Sequence, residues 1–402
     1  YHTIKNSDSY GINVGEITVD YKKNIKRSRD VANRLSKGIE FLIKKNKITH
    51  IIGTGKLTSN NTIEIVKDGE TETIKVKNII LATGARPRSF PGLEYDGKRV
   101  ISSKEAMVLD KIPKNLVIIG AGAIGVEFAH LYSTFGSKVT LVEGLDNIVP
   151  NEDVDISIEL EKIFKRKRIT THTKAMVEKI SKTKTGATVS IKGQKPIKAD
   201  VVLMAVGVTG NIENLGLEEL GIDSDRGFIK VNEFMQTGTQ NIYAIGDVTG
   251  KLLQAHVASH QGVVVAEKIA GLSPEPINDY IDMPRAIYCE PQIASIGLTE
   301  EEAKAKGYKI KTGIFPLSAS GKALGLGDSE GFSKLIFDEE IGELLGAHLI
   351  GPNVSELLGE IGILKMLEGS SKEIGDLVHP HPTMSEILKE SSLGALGSAI
   401  HI

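Results

Sequence analysis

Asn115 to Glu143 read NLVIIGAGAIGVEFAHLYSTFGSKVTLVE. An apolar run, Leu116–Ile119, meets Gly120-x-Gly122-x-x-Gly125. A helical pattern follows, then a second apolar run, Val139–Val142, that ends on Glu143. Strand, glycine loop, helix, strand and terminal acid are in register for a βαβ dinucleotide unit. The spacing gives each glycine a task. Gly120 makes the tight turn, Gly122 lets backbone approach a pyrophosphate, and Gly125 lets helix and sheet pack closely. Ala121, Ala123, Ile124 and Val126 fill the loop and the helix start, where unpaired N–H groups favour an anion. Glu143 would accept hydrogen bonds from ribose hydroxyls, and its charge would repel a 2′-phosphate. Residues 144–150 (GLDNIVP) hold no Arg or Lys to bind one, so NAD is expected over NADP.

Outward from this unit, the 402 residues suffice for two or three domains with sizeable cores. Net charge is −2, which supplies no global field for nucleic acid or a membrane surface. No run of eighteen apolar residues occurs, so no membrane-spanning helix is expected. The opening YHTIKNSDSYG reads as neither signal nor transit peptide. The one cysteine, Cys289, allows no intrachain disulfide. That usage suits a reducing compartment: cytoplasm, or an organelle matrix or stroma after removal of a transit peptide.

Residues 1–50 read as helical, with an amphipathic stretch at Val31–Lys45. Ile48–Leu57, Thr62–Val66 and Thr71–Val76 alternate as strands, with a hairpin turn at Asp68-Gly69. Asn78–Thr83, Asp200–Val206 and Asn241–Ile245 read as buried strands, each closing on glycine. Helices are expected at Asp153–Lys165 and about Ala255–Ala270, with alternating strands across Ala175–Ile191. From about 280 the pattern becomes α+β. Strands at Ile293–Gly297, Tyr308–Pro316 and Phe332–Phe337 mix with helices at Glu300–Lys306, Ser355–Leu367 and Thr383–Ser392. The strand-to-glycine junctions at 82–84 and 245–247 flank the dinucleotide unit. One domain interrupted by another would look like this.

The order LATGARP, GAGAIGVE, NIYAIGDV and HPHPTMSE resembles the pyridine nucleotide–disulfide oxidoreductases, over essentially the whole chain. The resemblance is strongest to the branch that reoxidises dihydrolipoamide. It implies an α/β protein: two Rossmann-like dinucleotide-binding domains, the FAD one N-terminally incomplete, plus a C-terminal α+β dimerisation domain. The implied boundaries are 1–111 and 239–280 for FAD, 112–238 for NAD, and 281–402 for the interface. Gly55, Thr83, Gly84, Ala85, Asp247, Leu253, Gln254, Ala255 and His256 fall on FAD positions. Gly120 to Glu127, Glu143, Val177 and Gly207 fall on NAD positions, although Glu127 matches a residue beside the flavin. His381 and Glu386 fall on the catalytic base and its orienting carboxylate, which in the family act across a dimer. The implied partners are a second copy and the lipoyl domains of a 2-oxo acid dehydrogenase complex.

The chemistry asks for these residue types. A dithiol must lose a proton before its sulfur attacks a disulfide, and an imidazole suits that work. Thr383 and Glu386 also have capping-box spacing, so Glu386 could simply cap a helix. Asp247 could be an N-cap rather than a ligand. Glu127 could complement a helix dipole from its first turn. Cys289 reads as a buried structural thiol and His379 as structural. No Cys or further His near His379 and His381 gives metal-ligand spacing.

One departure is large. The family begins with a strand, its own GxGxxG, a CxxxxC pair and a following Lys, and this sequence shows none of them. Without that Lys, Glu127 would lack its partner, and the chain as it stands is expected to be inactive toward dithiols. An uncovered sheet edge and apolar surface would make it poorly soluble. Two other readings stay open: a thiol-independent FAD/NAD oxidoreductase (transhydrogenase or NADH oxidase), or a non-catalytic NAD-binding chain.

Overall fold

A computed structural model describes residues 1–402, save for the side chain of His2. The chain opens with a short helix α1 (His2–Lys5) and the long α2 (Tyr21–Lys45). Residues 11–20 between them are extended and irregular rather than helical. Asp20 caps α2 by accepting from the Lys23 N–H at 3.1 Å. An antiparallel sheet follows, β1 (Thr54–Ser59), β2 (Thr62–Lys67) and β3 (Glu70–Lys75), turned at Asp68-Gly69. Next come β4 (Ile79–Leu81), β5 (Ala85–Pro87), β6 (Val100–Ile101) and α3 (Ser103–Ala106).

The dinucleotide unit forms as its pattern dictates: β7 (Asn115–Ile119), α4 (Ala123–Thr134) and β8 (Lys138–Val142). Four of the five residues in each strand are buried, as parallel strands covered on both faces require. Helix α5 (Val154–Arg166) and β9 (Thr170–His172) complete the run, and β10 (Val177–Lys182), β11 (Ala187–Ile191) and β12 (Ile197–Ala199) form a separate antiparallel layer. The chain returns through β13 (Val201–Met204) into a five-stranded parallel sheet of order β6-β13-β7-β8-β9. β14 (Val208–Gly210) then pairs antiparallel with β5.

A small hairpin, β15 (Ser224–Asp225) and β16 (Phe228–Ile229), precedes β17 (Ile242–Ala244) and α6 (Ala255–Ile269). β17 lies parallel to β4, with Ile242 opposite Ile79 and Ala244 opposite Leu81. The chain therefore leaves one unit after β4, builds another, and comes back to the first.

The last part is an antiparallel sheet of order β18-β19-β22-β21-β20. Its members are β18 (Arg285–Ile287), β19 (Gln292–Gly297), β20 (Ile310–Pro316), β21 (Phe332–Asp338) and β22 (Leu344–Gly351). Helices α7 (Glu300–Ala305), α8 (Gly321–Leu326), α9 (Leu358–Met366), α10 (Ser371–Asp376) and α11 (Glu386–Ala395) pack around it. β22 was not anticipated, although it is the central strand and all eight of its residues are buried. Its sequence, LLGAHLIG, shows neither alternation nor β-branching in most positions, because both faces are covered.

A buried ionic cluster joins this sheet to the dinucleotide unit. Lys334 on β21 has a side chain 1% exposed, and its Nζ lies 2.9 Å from Asp153, 2.6 Å from Asp155 and 2.7 Å from Glu300. Asp153 also caps α5 and accepts from the Glu300 N–H at 3.1 Å. Burial alone would lower the Lys334 pKa, but the hydrogen bonds that its ammonium donates to the three carboxylates outweigh it and raise the pKa. Among the described residues, no helix is long and apolar enough to cross a membrane.

Candidate functional site

The three loop glycines separate by what surrounds them. A Cβ on Gly120 would lie 2.3 Å from the Ala205 carbonyl oxygen, and Gly120 has φ +98°. A Cβ on Gly125 would lie 2.0 Å from the Gly120 oxygen. Neither position tolerates a side chain. Gly122 meets nothing within 4 Å. It faces a cleft of about 370 Å³ that Ala123, Ile124, Gly207, Leu253 and Gln254 also line. A loop with packing on two glycines and open space at the third fits a pyrophosphate. Ala121 and Val126 instead bury their side chains in the core, so only their backbone can serve a ligand.

Glu143 directly follows β8, which ends at Val142. Its carboxylate accepts from Ala121 N–H at 2.7 Å and Leu145 N–H at 2.9 Å. A carboxylate has about four acceptor sites, so capacity for ribose hydroxyls remains. Val177 starts β10 and packs, partly buried, against the core beside Ala175 and Ile180.

One expectation for Glu127 needs correction. It is the fifth residue of α4, past the first turn. Its Oε1 accepts from the Tyr288 N–H at 2.8 Å, a backbone donor rather than the lysine that the resemblance pairs with it. Burial raises its carboxyl pKa.

A second group gathers past the carboxyl ends of β4 and β17, where open α/β sheets place ligands. Thr83 Oγ1 donates to the Asn211 carbonyl at 2.8 Å, and Asn211 Nδ2 donates to the Thr83 carbonyl at 2.9 Å. The Asn211 N–H bonds the Gly84 oxygen at 2.9 Å, and Ala85 pairs with Gly210. Asn211 was not foreseen, since no motif marks it. Asp247 lies in a short 3-10 turn, Gly246–Thr249, and caps nothing with its side chain. It is half-buried, and its carboxylate has no hydrogen bond among the described residues. A half-exposed carboxylate beside Gly246 (φ +72°) is open to a polar ligand group such as ribityl hydroxyls. Gln254 precedes Ala255, the first residue of α6, without a side-chain cap. His256 Nε2 lies 2.9 Å from the Pro284 oxygen. Gly55 sits exposed on β1, where a Cβ would make only ordinary contact at 3.6 Å with Ile63. Internal packing therefore gives no reason for Gly there.

His381 and Glu386 stand together. Nδ1 of His381 lies 2.8 Å from Glu386 Oε1, and the His381 side chain is 77% exposed. The capping box is only half formed. Glu386 Oε2 accepts from the Thr383 N–H at 2.8 Å, while Thr383 Oγ1 turns to the Pro380 carbonyl. The helix accordingly starts at Glu386, three residues later than the spacing predicts. Burial would raise the Glu386 pKa, but the Thr383 N–H and His381 outweigh it and lower it. His379 is held by Glu360 at 2.8 Å. The pocket at His381 shares no lining residue with the cleft at Gly122.

Cys289 is the structural thiol expected. It is 2% exposed, and burial pushes it up to about 12. Among the described residues, no group of three or more His, Cys, Asp or Glu could hold a metal ion.

Comparison with known proteins gives the family. Residues 7–262 match the pyridine nucleotide-disulphide oxidoreductase family and residues 283–392 its dimerisation domain. The dihydrolipoyl dehydrogenase of Bacillus subtilis is 41% identical, over 100% of this chain and 87% of its own length. That of Zymomonas mobilis is 42% identical over the same shares. Among solved structures, LpdA of Mycobacterium tuberculosis superposes with a TM-score of 0.88 at 26% identity, covering 94% of this chain and 84% of that one. The HOCl-induced flavoprotein disulfide reductase RclA of Escherichia coli gives 0.86 at 28%, covering 93% and 86%. FAD and NAD are the cofactors that go with this assignment. The chain is an α/β flavoprotein oxidoreductase and belongs to the pyridine nucleotide–disulphide oxidoreductase family.

Proposed function

We propose that this protein reoxidises dihydrolipoamide with NAD+, as a homodimer that serves the lipoyl domains of a 2-oxo acid dehydrogenase complex. The observation that carries the reading is the exposed His381 imidazole, oriented by Glu386 at 2.8 Å. The dithiol gives up two electrons and two protons. NAD+ takes both electrons and one proton, and the other proton goes to solvent. FAD, when bound, supplies the electron relay between sulfur and nicotinamide.

The residues divide the remaining work. Glu386 accepts from His381 Nδ1–H, which leaves Nε2 unprotonated and open to take a thiol proton. It then stabilises the imidazolium that forms. Gly122 and the N–H groups at the start of α4 hold the NAD pyrophosphate, Glu143 the ribose. Asp247, Thr83 to Ala85 and Leu253 to His256 border the flavin. The FAD unit is assigned to 1–111 with 239–280, the NAD unit to 112–238 and the dimer unit to 281–402. His381 lies apart from the nucleotide cleft of its own chain, which supports a base that acts on a second copy.

Dithiol exchange needs two cysteines, and these 402 residues hold one. The chain of these residues alone is therefore expected to oxidise no dihydrolipoamide. In protein carrying a redox cysteine pair as well, His381→Gln should slow dihydrolipoamide oxidation by about 10²–10⁴-fold. NADH-driven reduction of an artificial dye, which needs no dithiol base, should persist. Equal loss of both rates would break the reading.

A thiol-independent oxidoreductase is the alternative, supported by the inert burial of Cys289. It predicts NADH consumption with oxygen or a second nucleotide at rates that ignore His381→Gln.

A further inference from the structure

The cleft beside Gly122 contains a cation that no motif announced. Arg285 begins β18 in the last sheet, yet it lines the same cleft as Gly122, Ala123 and Ile124. Its side chain is 20% exposed. Nε donates to Ser295 Oγ at 3.2 Å, and Ser295 Oγ donates to Glu152 Oε2 at 2.6 Å. Glu152 Oε1 lies 3.6 Å from Nε, with the Glu152 side chain 5% exposed. These contacts all engage Nε. Among the described residues, the terminal nitrogens of Arg285 have no hydrogen-bond partner.

A guanidinium carries five N–H donors, and four of them here await an acceptor. A largely buried cation is costly unless an anion and hydrogen bonds meet it. Glu152 meets it only in part, because its Oε1 lies 3.6 Å from Nε, beyond hydrogen-bond reach. The unmet fork matches two oxygens of a phosphate in a bidentate contact. The start of α4, on the same cleft, offers N–H groups to the same kind of ligand.

We propose that Arg285 is a further nucleotide-binding residue, whose guanidinium contacts the pyrophosphate of the pyridine dinucleotide opposite the start of α4. Ser295 and Glu152 are positioning residues that fix Nε and so aim the fork. The proposal rests on the reading of this cleft as the NAD site. It adds a contact from the dimerisation part of the chain, so that nucleotide binding bridges two units of the fold.

The test is calorimetric titration of the FAD-loaded protein with NADH and with ADP-ribose, which has the pyrophosphate but no nicotinamide. Arg285→Gln should weaken both ligands by about 10- to 100-fold, with partial recovery in Arg285→Lys. Thermal melting checks that each variant is folded, and Arg285→Met, which keeps the stem, replaces the Gln variant if that one is not. Affinities unchanged in the Arg285 variants, beside a wild-type protein that binds both ligands, would overturn the role of Arg285 alone. Loss for NADH with ADP-ribose unaffected would overturn the pyrophosphate contact. A wild-type protein that binds neither ligand would overturn the nucleotide cleft itself, and this inference with it.

Discussion

The glycine loop at 120–125 and the turn at 379–386 are both short, and both carry chemistry, but different forces build them. The loop is dictated by backbone. Gly120 and Gly125 leave no room for a Cβ, and the strand and helix on either side fix the rest. The turn is dictated by side chains. His379 needs Glu360, His381 needs Glu386, and Thr383 divides its polar groups between Glu386 and Pro380. A site made of backbone is rigid before its ligand arrives. A site made of side-chain pairs can be retuned one residue at a time.

The largest expected effect tests the backbone side. Gly125→Val drives a branched side chain into the Gly120 carbonyl, so a loss beyond about 4–5 kcal/mol and failure to fold are expected. Gly122→Ala should melt normally and lose NADH affinity instead. If both variants melt alike, the division between packing glycine and ligand glycine is wrong. Denaturant titration and NADH fluorescence separate the two.

Next in size is Lys334. Lys334→Ala leaves Asp153 buried without its cation and should cost about 3–5 kcal/mol. Wild-type stability should also fall in acid. Asp153 and Glu300 have folded pKa values below their ordinary ones. Their contribution is complete above about pH 4, the ordinary carboxylate range, and is lost as pH drops through the folded values. Melting temperatures from pH 7 to 3 should show this acid slope in wild type and a smaller one in Lys334→Met. An equal slope in both would remove the cluster from the account.

The smallest structural effect belongs to the turn. Glu386→Gln should change stability by less than about 1 kcal/mol, since the pair is partly solvated. It should slow dithiol oxidation by about 10- to 100-fold. A large drop in melting temperature with little change in rate would make Glu386 a helix cap and no more.

Legibility followed the same division. The βαβ unit, the hairpins at 54–75 and the interrupted pairing of β4 with β17 were readable, because periodicity and glycine spacing act locally. β22 was missed because a doubly covered strand shows no alternation. Arg285, Ser295 and Glu152 were invisible, being ordinary residues more than 130 positions apart at the extremes that only the fold brings together. The start of α11 was misplaced because Thr383 Oγ1 had a second acceptor within reach.

The pairing of β4 with β17 sets a clock on synthesis. Residues 79–81 leave the ribosome about 160 residues before their partners at 242–244. At roughly 5–20 residues per second, β4 waits on the order of 8–30 s before β17 can pair with it. Meanwhile the parallel sheet around β7 contains all its own strands by Met204 and can close first. The nucleotide unit in the middle is thus expected to be a folded body while both flanks are still chain. A slow codon run or a ribosome pause just before 242 would lengthen the interval in which Ile79 and Leu81 lack Ile242 and Ala244.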